Sequence, residues 1–176
     1  FSRDPSVALE HMMKTYGNAV IRTAYFYTGD RHLAEDISQE VFVRAFRYWR
    51  NFRGESSVKT WLTRITINLC RDRMQLRMSA EEPLDPVTMH GAQTIDPNLP
   101  YGMGAPGTEE EVMRRLSQSE LLQHLMELPA MYREVLYLYY YLELSTREIA
   151  QAIDAPEGTV RARIHRAREL LGHALR

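Results

Sequence analysis

The side chains with the most distinctive chemistry are arginines close to the end of the chain. Between positions 161 and 176 the basic residues are Arg161, Arg163, Arg166, Arg168 and Arg176, and the acidic residue is Glu169. A guanidinium group can donate two parallel hydrogen bonds to phosphate or to the edge of guanine, so this cluster predicts a surface that binds nucleic acid. Arginine outnumbers lysine 20 to 2 in the whole chain, however, and GC-rich coding produces the same bias.

Catalytic chemistry is not predicted from the motifs of the chain. The six histidines do not follow the H-x-x-x-H spacing of metal sites, and neither a G-x-x-x-x-G-K phosphate loop nor a G-x-S-x-G nucleophile elbow occurs. The one cysteine, Cys70, excludes an internal disulfide and is expected to be a buried thiol in a long helix. We therefore expect no catalytic residue, no cofactor, no metal ion and no small-molecule substrate.

The composition is that of an average soluble protein. Of 176 residues 44% are hydrophobic and 26% are charged, and the net charge is −1, so global disorder is excluded and charge-dependent binding must use local clusters. No stretch approaches the roughly 20 apolar residues that cross a bilayer, and the first residues lack the layout of a signal peptide. We expect a cytoplasmic protein without direct membrane insertion.

Residues 79–108 separate two halves of the chain. They contain five of the eight prolines, four of the nine glycines and four acidic residues, without a Lys or Arg. Because their few apolar residues follow no period, they predict a flexible acidic Pro/Gly-rich linker between a domain at 1–78 and a domain at 109–176. Both halves show helical spacing, so the predicted fold class is all-α with two small helical domains.

Two helices are predicted in the first half. One follows a turn at residues 28–30, and its buried stripe consists of Leu33, Ile37, Val41 and Ala45. The other is expected from about Val58 to Met78, with Ser56 or Ser57 as its cap. Its inner face consists of Trp61, Leu62, Ile65 and Leu69. The polar segment 51–57 contains a glycine and predicts a surface loop.

A helix-turn-helix is predicted near the end of the chain. Ser145–Glu148 has the form of a capping box, so a short helix should begin at Thr146. Pro156 suits the first position of a second helix, whose inner stripe is Val160, Ile164, Ala167 and Leu171. The outer side then carries Thr159, Arg161, Ala162, His165 and Arg166. Such a face suits base edges and phosphates, although a solvated basic helix that closes a bundle is the alternative.

Two further helices are predicted upstream of the helix-turn-helix. They lie at residues 125–129 and 132–141, and the second contains a run of tyrosines. We expect most of these tyrosines in the core. Since those at 137, 139, 140 and 141 cannot share one face, some of them remain available to a partner.

Four segments of this chain resemble the bacterial sigma factors of the extracytoplasmic-function (ECF) group in the sigma-70 family. In order they are AEDISQEVF at 34–42, FRGESSVKTWLTRI at 52–65, LPAMYREV at 128–135 and PEGTVRARIHRAR at 156–168. The resemblance covers nearly everything except the linker. It implies region 2 at 1–78, region 4 at 109–176, and a function in promoter-specific transcription initiation as a subunit of RNA polymerase.

The resemblance also implies partners and the residues that bind them. Core RNA polymerase is expected to bind through its β′ coiled coil and β subunit, with the β′ contact at Asp36, Gln39 and Glu40. Promoter DNA of the −10 element is expected at Phe52, Arg53, Gly54, Ser56, Ser57, Lys59, Arg64, Asn68 and Arg71. Lys59 departs from the aromatic or uncharged residue of many relatives. The −35 element is expected at Thr159, Arg161, Ala162, His165 and Arg166, and an anti-sigma factor is the expected regulator.

Two other classes of function remain as alternatives. One is a ligand-responsive helix-turn-helix regulator, which would have a ligand pocket and a dimerisation surface in place of the Asp36 face and the loop at 52–59. The other is an enzyme that acts on nucleic acid, and it would need a carboxylate cluster or a metal motif. For the acidic linker, a plain tether and an imitation of a phosphate backbone are both open.

Overall fold

The computed structural model of the protein describes residues 1–80 and 120–174. Within these two ranges every regular element is helical and no strand occurs, which confirms the predicted all-α fold class. Internal contacts divide the described residues into two compact units, one with residues 1–80 and 147–155 and the other with residues 120–146 and 156–174. The predicted linker lies outside the described residues except for Ser79 and Ala80, and the predicted domain boundaries stay a prediction.

The first unit begins with two helices joined at a tight turn. Helix α1 spans Pro5–Thr28 and helix α2 spans Arg31–Tyr48. Gly29 ends α1 with a left-handed φ of 66°, and the side chain of Asp30 accepts a hydrogen bond from the Leu33 amide at 3.1 Å to cap α2. The turn at 28–30 is therefore as predicted. On the predicted stripe of α2, Ile37, Val41 and Ala45 are buried, whereas Leu33 is half-buried.

Helix α3 completes the bundle of the first unit. It spans Val58–Ala80, two residues beyond the predicted end, and Ser57 is its cap because its Oγ accepts a hydrogen bond from the Thr60 amide at 3.1 Å. On the predicted inner face Leu62 and Leu69 are buried, whereas Trp61 and Ile65 are half-buried. These side chains pack with Met12, Ile37 and Val41. Burial of each large aliphatic side chain contributes about 1.5–3 kcal/mol.

The second unit contains helix α4 over residues 120–127, helix α5 over Ala130–Leu136 and a π-helical turn over Tyr137–Tyr141. Two helices are thus present upstream as predicted, but the first ends at residue 127, before the predicted end at 129, and the second begins two residues earlier than predicted. The tyrosine run divides as its spacing requires, since Tyr137 is buried whereas Tyr140 is exposed. A π-helical turn shifts the following side chains around the helix axis, so neighbouring tyrosines leave in different directions.

Two helices close the described chain. Helix α6 spans Thr146–Ile153 and begins at the predicted residue, and helix α7 spans Glu157–Ala174. Pro156 lies immediately before α7, where its carbonyl oxygen accepts a hydrogen bond from the Val160 amide at 3.1 Å. The prediction of Pro156 as the first helical residue was therefore wrong by one position, because the proline occupies the cap. No helix among the described residues is long and apolar enough to cross a membrane.

Candidate nucleic-acid interface

Helix α2 carries the three residues expected to bind polymerase, and the structure gives them different environments. Asp36 and Gln39 are exposed, whereas Glu40 is half-buried. The Glu40 carboxylate accepts hydrogen bonds from Arg44 Nη2 at 3.1 Å and from Arg73 Nη2 at 2.5 Å. Glu40 therefore joins α2 to α3, in addition to any contact that it makes with a partner.

The ionisation of Glu40 follows from these contacts. Burial raises the pKa of this carboxyl group, but the hydrogen bonds from Arg73 and Arg44 oppose that effect and leave the pKa below its ordinary value. Glu40 is consequently an anion at neutral pH. The exposed surface beside it keeps the acidic and amide character of Asp36 and Gln39.

An aromatic cluster anchors the loop at residues 52–57. The ring centroid of Phe52 lies 5.3 Å from that of Trp49 and 4.8 Å from that of Trp61, and the two tryptophans lie 5.9 Å apart. Such offset and tilted contacts contribute about 0.5–1.5 kcal/mol per pair beyond the area that they bury. Trp61 thus packs with the core cluster, as predicted, and Phe52 holds the start of the loop against it.

The remaining loop residues differ in backbone conformation and exposure. Gly54 has φ 74°, and a Cβ at this position would meet no atom within 4 Å. Glycine is therefore favoured here by the left-handed backbone conformation and not by steric exclusion of a side chain. Arg53 and Ser57 are exposed, whereas Ser56 and Lys59 are half-buried. The Ser57 hydroxyl is already used, because it caps α3 and donates to Thr60 Oγ1 at 2.9 Å.

A cleft of about 250 Å³ lies beside this loop. Its lining includes Phe52, Arg53, Ser56 and Arg64, all expected at the −10 element. It also includes side chains that the sequence analysis did not assign to a site, among them Tyr48, Asn51, Glu55, Trp61 and Gln151. The first four lie close to the loop in sequence, whereas nothing in the sequence pointed to Gln151. The cleft combines aromatic surface with guanidinium, amide and hydroxyl groups, which suits an unpaired base.

The exposed face of α3 continues from the cleft along the helix. Arg64, Asn68 and Arg71 are exposed and follow each other at intervals of four and three residues, which places them on one face. Thr60, one turn before Arg64 on the same helix, is buried. The exposed stripe therefore begins at Arg64.

The outer face of α7 is exposed, as its spacing predicted. Arg161, Ala162, His165 and Arg166 are exposed, whereas Thr159 is half-buried. On the opposite side Val160, Ile164 and Ala167 are buried. Arg168 is also exposed, but its side chain contacts two tyrosines: its Nε donates to the Tyr140 hydroxyl at 2.7 Å, and its guanidinium lies 5.4 Å from the Tyr139 ring centroid.

Two carboxylates of α7 bind these basic side chains, and the sequence analysis did not assign them a role at the −35 element. Arg161 Nη2 donates to Glu157 Oε1 at 2.7 Å, and Arg166 Nη1 donates to Glu169 Oε2 at 3.0 Å. The intervals in the sequence, four residues from Glu157 to Arg161 and three from Arg166 to Glu169, could have predicted these ion pairs, since such intervals bring side chains together on a helix. Among residues 1–80 and 120–174, no group of three or more His, Cys, Asp or Glu side chains could hold a metal ion.

Comparison with protein families identifies both halves of the chain. The model of sigma-70 region 2 matches residues 12–78, and the model of sigma-70 region 4 matches residues 118–171. These matches cover the cleft, the exposed face of α3 and the helix-turn-helix. The chain therefore belongs to the sigma-70 family of RNA polymerase sigma factors.

Individual relatives place the chain within the ECF group of that family. The ECF RNA polymerase sigma factor SigW of Bacillus subtilis is 34% identical, over 96% of this chain and 89% of that protein. The RNA polymerase sigma-H factor of Pseudomonas aeruginosa is 31% identical, over 96% of this chain and 86% of its own length. The ligand-responsive regulator and the nucleic-acid enzyme are consequently set aside.

Solved structures have the same fold. CnrH in complex with the cytosolic domain of CnrY superimposes with a TM-score of 0.63 at 22% identity, over 99% of this chain and 97% of that chain. The sigma factor RpoE of Bartonella quintana, solved with the anti-sigma factor NepR, gives a TM-score of 0.69 at 20% identity, over 94% of this chain and 95% of that chain. The likeness to these structures supports the predicted all-α architecture.

Proposed function

We propose that this chain binds core RNA polymerase and directs it to promoters by recognising a −35 and a −10 element and by melting the −10 DNA. It performs no catalysis of its own and needs no cofactor or small-molecule substrate. Region 2 corresponds to residues 1–78, the linker to residues 79–108 and region 4 to residues 109–176. The family and its ECF relatives support this function, and the residue roles rest on the geometry of the two units.

The cleft beside the loop carries the proposal. It has a volume of about 250 Å³, and its lining includes Phe52, Trp61 and Arg64. An extruded base loses stacking and pairing worth a few kcal/mol, and a pocket with π-surface and polar groups recovers part of that energy. The adjoining Arg64, Asn68 and Arg71 face suits the backbone of the exposed non-template strand.

The other two surfaces complete the function. The exposed Asp36 and Gln39 side chains, together with Glu40, form the face of α2 that contacts the β′ coiled coil. The outer face of α7 reads the −35 element in the major groove, since guanidinium groups at Arg161 and Arg166 suit guanine and phosphate. The β subunit is the further polymerase contact.

The cellular location and regulation of the chain follow from this mode of action. The chain works in the cytoplasm, where promoter DNA and polymerase are located, and does not insert into a membrane. An anti-sigma factor regulates it. One supporting observation is that the RpoE structure of the same fold was solved with an anti-sigma factor.

The test is co-elution of the purified chain with bacterial core RNA polymerase, followed by run-off transcription from a promoter library. Wild type should bind stoichiometrically and initiate at a defined class of promoters. Asp36→Arg should abolish binding because it replaces a carboxylate in the proposed contact with the β′ coiled coil by a cation. Glu10→Arg is the matched control, since Glu10 is exposed on α1 and undergoes the same change of charge. Failure of folded wild type to bind several bacterial core enzymes would contradict the proposal.

A further inference from the structure

Glu169 lies against two of the side chains expected to read the −35 element. Arg166 Nη1 donates to its Oε2 at 3.0 Å, and His165 Nε2 lies 3.1 Å from its Oε1. The side chains of His165, Arg166 and Glu169 are 78%, 55% and 46% exposed, so all three share the solvent-facing surface of α7. The two oxygens of the Glu169 carboxylate thus contact two different residues, Arg166 and His165, that are expected to bind the −35 element.

Glu157 makes a similar arrangement at the start of the same helix. Its Oε1 accepts hydrogen bonds from Arg161 Nη2 at 2.7 Å and from Thr146 Oγ1 at 3.0 Å. The basic outer face of α7 is therefore bounded by a carboxylate at each end. Glu157 also has a structural role, because Thr146 is the first residue of α6, and so Glu169 offers the cleaner test.

Surface ion pairs of this kind contribute little to stability, so folding alone does not explain them. Their effect on DNA binding is different. An unrestrained arginine binds any phosphate, whereas recognition of guanine requires the guanidinium plane to be aligned with O6 and N7. A neighbouring carboxylate restrains that plane, and its negative charge also weakens binding to phosphates of any sequence.

We propose that Glu169 is a positioning residue that sets the specificity of −35 recognition by holding Arg166 and His165 toward base edges and by opposing sequence-independent phosphate contacts. This inference rests on the proposed function, because it requires that the outer face of α7 reads DNA. It assigns a specificity role to an acidic residue that need not touch a base itself. It also explains why the densest cluster of arginines in the chain contains a carboxylate.

The experiment compares sequence discrimination by reconstituted holoenzyme. Promoters are first selected by wild-type holoenzyme from a library randomised in the −35 element. Dissociation constants are then measured for a selected promoter and for the same DNA with a scrambled −35 element. The measure of discrimination is the dissociation constant for the scrambled DNA divided by that for the selected promoter. Glu169→Ala should lower this ratio about fivefold, chiefly by tighter binding to the scrambled DNA. Binding to the scrambled DNA should also become more sensitive to salt.

Glu127→Ala is the matched control. Glu127 belongs to the same unit, lies off α7, and has a histidine partner three residues away, with His124 Nδ1 at 3.8 Å from its Oε2. The control removes the same charge and should leave the ratio unchanged. In an Arg166→Ala, His165→Ala background, Glu169→Ala should cause no further loss of discrimination, because its targets are absent.

The outcomes separate the two proposals. If wild-type holoenzyme enriches no −35 sequence, the proposed −35 recognition fails and this inference fails with it. If wild type enriches a sequence but Glu169→Ala changes binding to selected and scrambled DNA by the same factor, only the positioning role of Glu169 is overturned. That role is likewise overturned if Glu127→Ala lowers the ratio as much as Glu169→Ala. Thermal unfolding of each variant establishes that the helix is retained.

Discussion

Arg77 Nη2 donates to Asp30 Oδ2 at 2.8 Å and thereby joins the last turn of α3 to the first residue before α2. The two residues are 47 positions apart in the chain. Asp30 also caps α2 through the Leu33 amide. One carboxylate thus fixes the direction in which α2 leaves the turn, and α2 carries the proposed polymerase-binding face.

The double role of Asp30 leads to a prediction about stability. Asp30→Asn retains a side-chain oxygen for the cap but removes the charge, whereas Asp30→Ala removes both. We expect Asp30→Ala to lower the free energy of unfolding by about 1–2 kcal/mol, and Asp30→Asn to lower it by well under half as much. Urea unfolding followed by circular dichroism measures both. Equal losses in the two variants would show that the ion pair, and not the cap, carries the effect.

The ion pairs of Asp30 and Glu40 with arginines of the first unit predict a dependence of stability on pH. The hydrogen bond from Arg77 lowers the pKa of Asp30, and the pKa of Glu40 is lowered because its hydrogen bonds from Arg73 and Arg44 exceed the opposing effect of burial. The unfolded chain therefore binds more protons than the folded chain in acid. These two carboxylates contribute full stability above about pH 5, and the contribution is lost as the pH falls through their folded pKa values.

Unfolding of the wild type and of an Asp30→Asn, Glu40→Gln double variant tests this pH dependence. The difference between their free energies of unfolding should be largest near about pH 7 and should decrease toward about pH 3. High salt should reduce the difference at neutral pH, since both carboxylates are partly exposed. A difference that is constant over this pH range would contradict the role assigned to the two ion pairs.

Gly54 provides a prediction about the loop beside the cleft. Its φ of 74° is unfavourable for a side chain, although a Cβ there would meet no other atom within 4 Å. Gly54→Ala should therefore destabilise the loop by about 1–2 kcal/mol through the backbone alone. Its larger effect should be a loss of open-complex formation, measured by the fluorescence of 2-aminopurine placed in the −10 element.

Gly17 supplies the matched control for Gly54. It lies inside α1, has no left-handed φ, and a Cβ there also meets no atom within 4 Å. Gly17→Ala should raise the free energy of unfolding by about 0.5–1 kcal/mol, because glycine is a poor residue in a helix interior. Open-complex formation should be unaffected. The opposite signs of the two substitutions test the conformational explanation directly.

Cys70 is predicted to be chemically inert in the folded protein. Its side chain is fully buried on α3, and burial raises the pKa of the thiol to about 12. The reactive thiolate is consequently scarce at neutral pH. Ellman's reagent should release no more than a trace of colour from the native protein and a full equivalent after unfolding in urea. Rapid reaction of the native protein would show that this part of α3 opens.

The local parts of the fold and of the site could be predicted from the sequence. The start of α6, the cap of α3 and the outer face of α7 depend on residues within a few positions of one another, through backbone hydrogen bonds and the helical repeat. The exposure of Asp36 and the burial of Cys70 follow from the same repeat. The predicted start of α7 was wrong by one position, because proline suits both the cap and the first helical turn.

The sequence by itself determined the helical class, the helix-turn-helix and the family motifs, since these are encoded in short-range spacing. Only the tertiary structure decided that Glu40 binds Arg73, that Arg77 binds Asp30, and that Phe52 packs against Trp49 and Trp61 beside a cleft. Glu40 and Arg73 are 33 positions apart, and any of several arginines has suitable charge. The choice among them depends on how α2 and α3 pack, and that packing depends on the fit of the whole core.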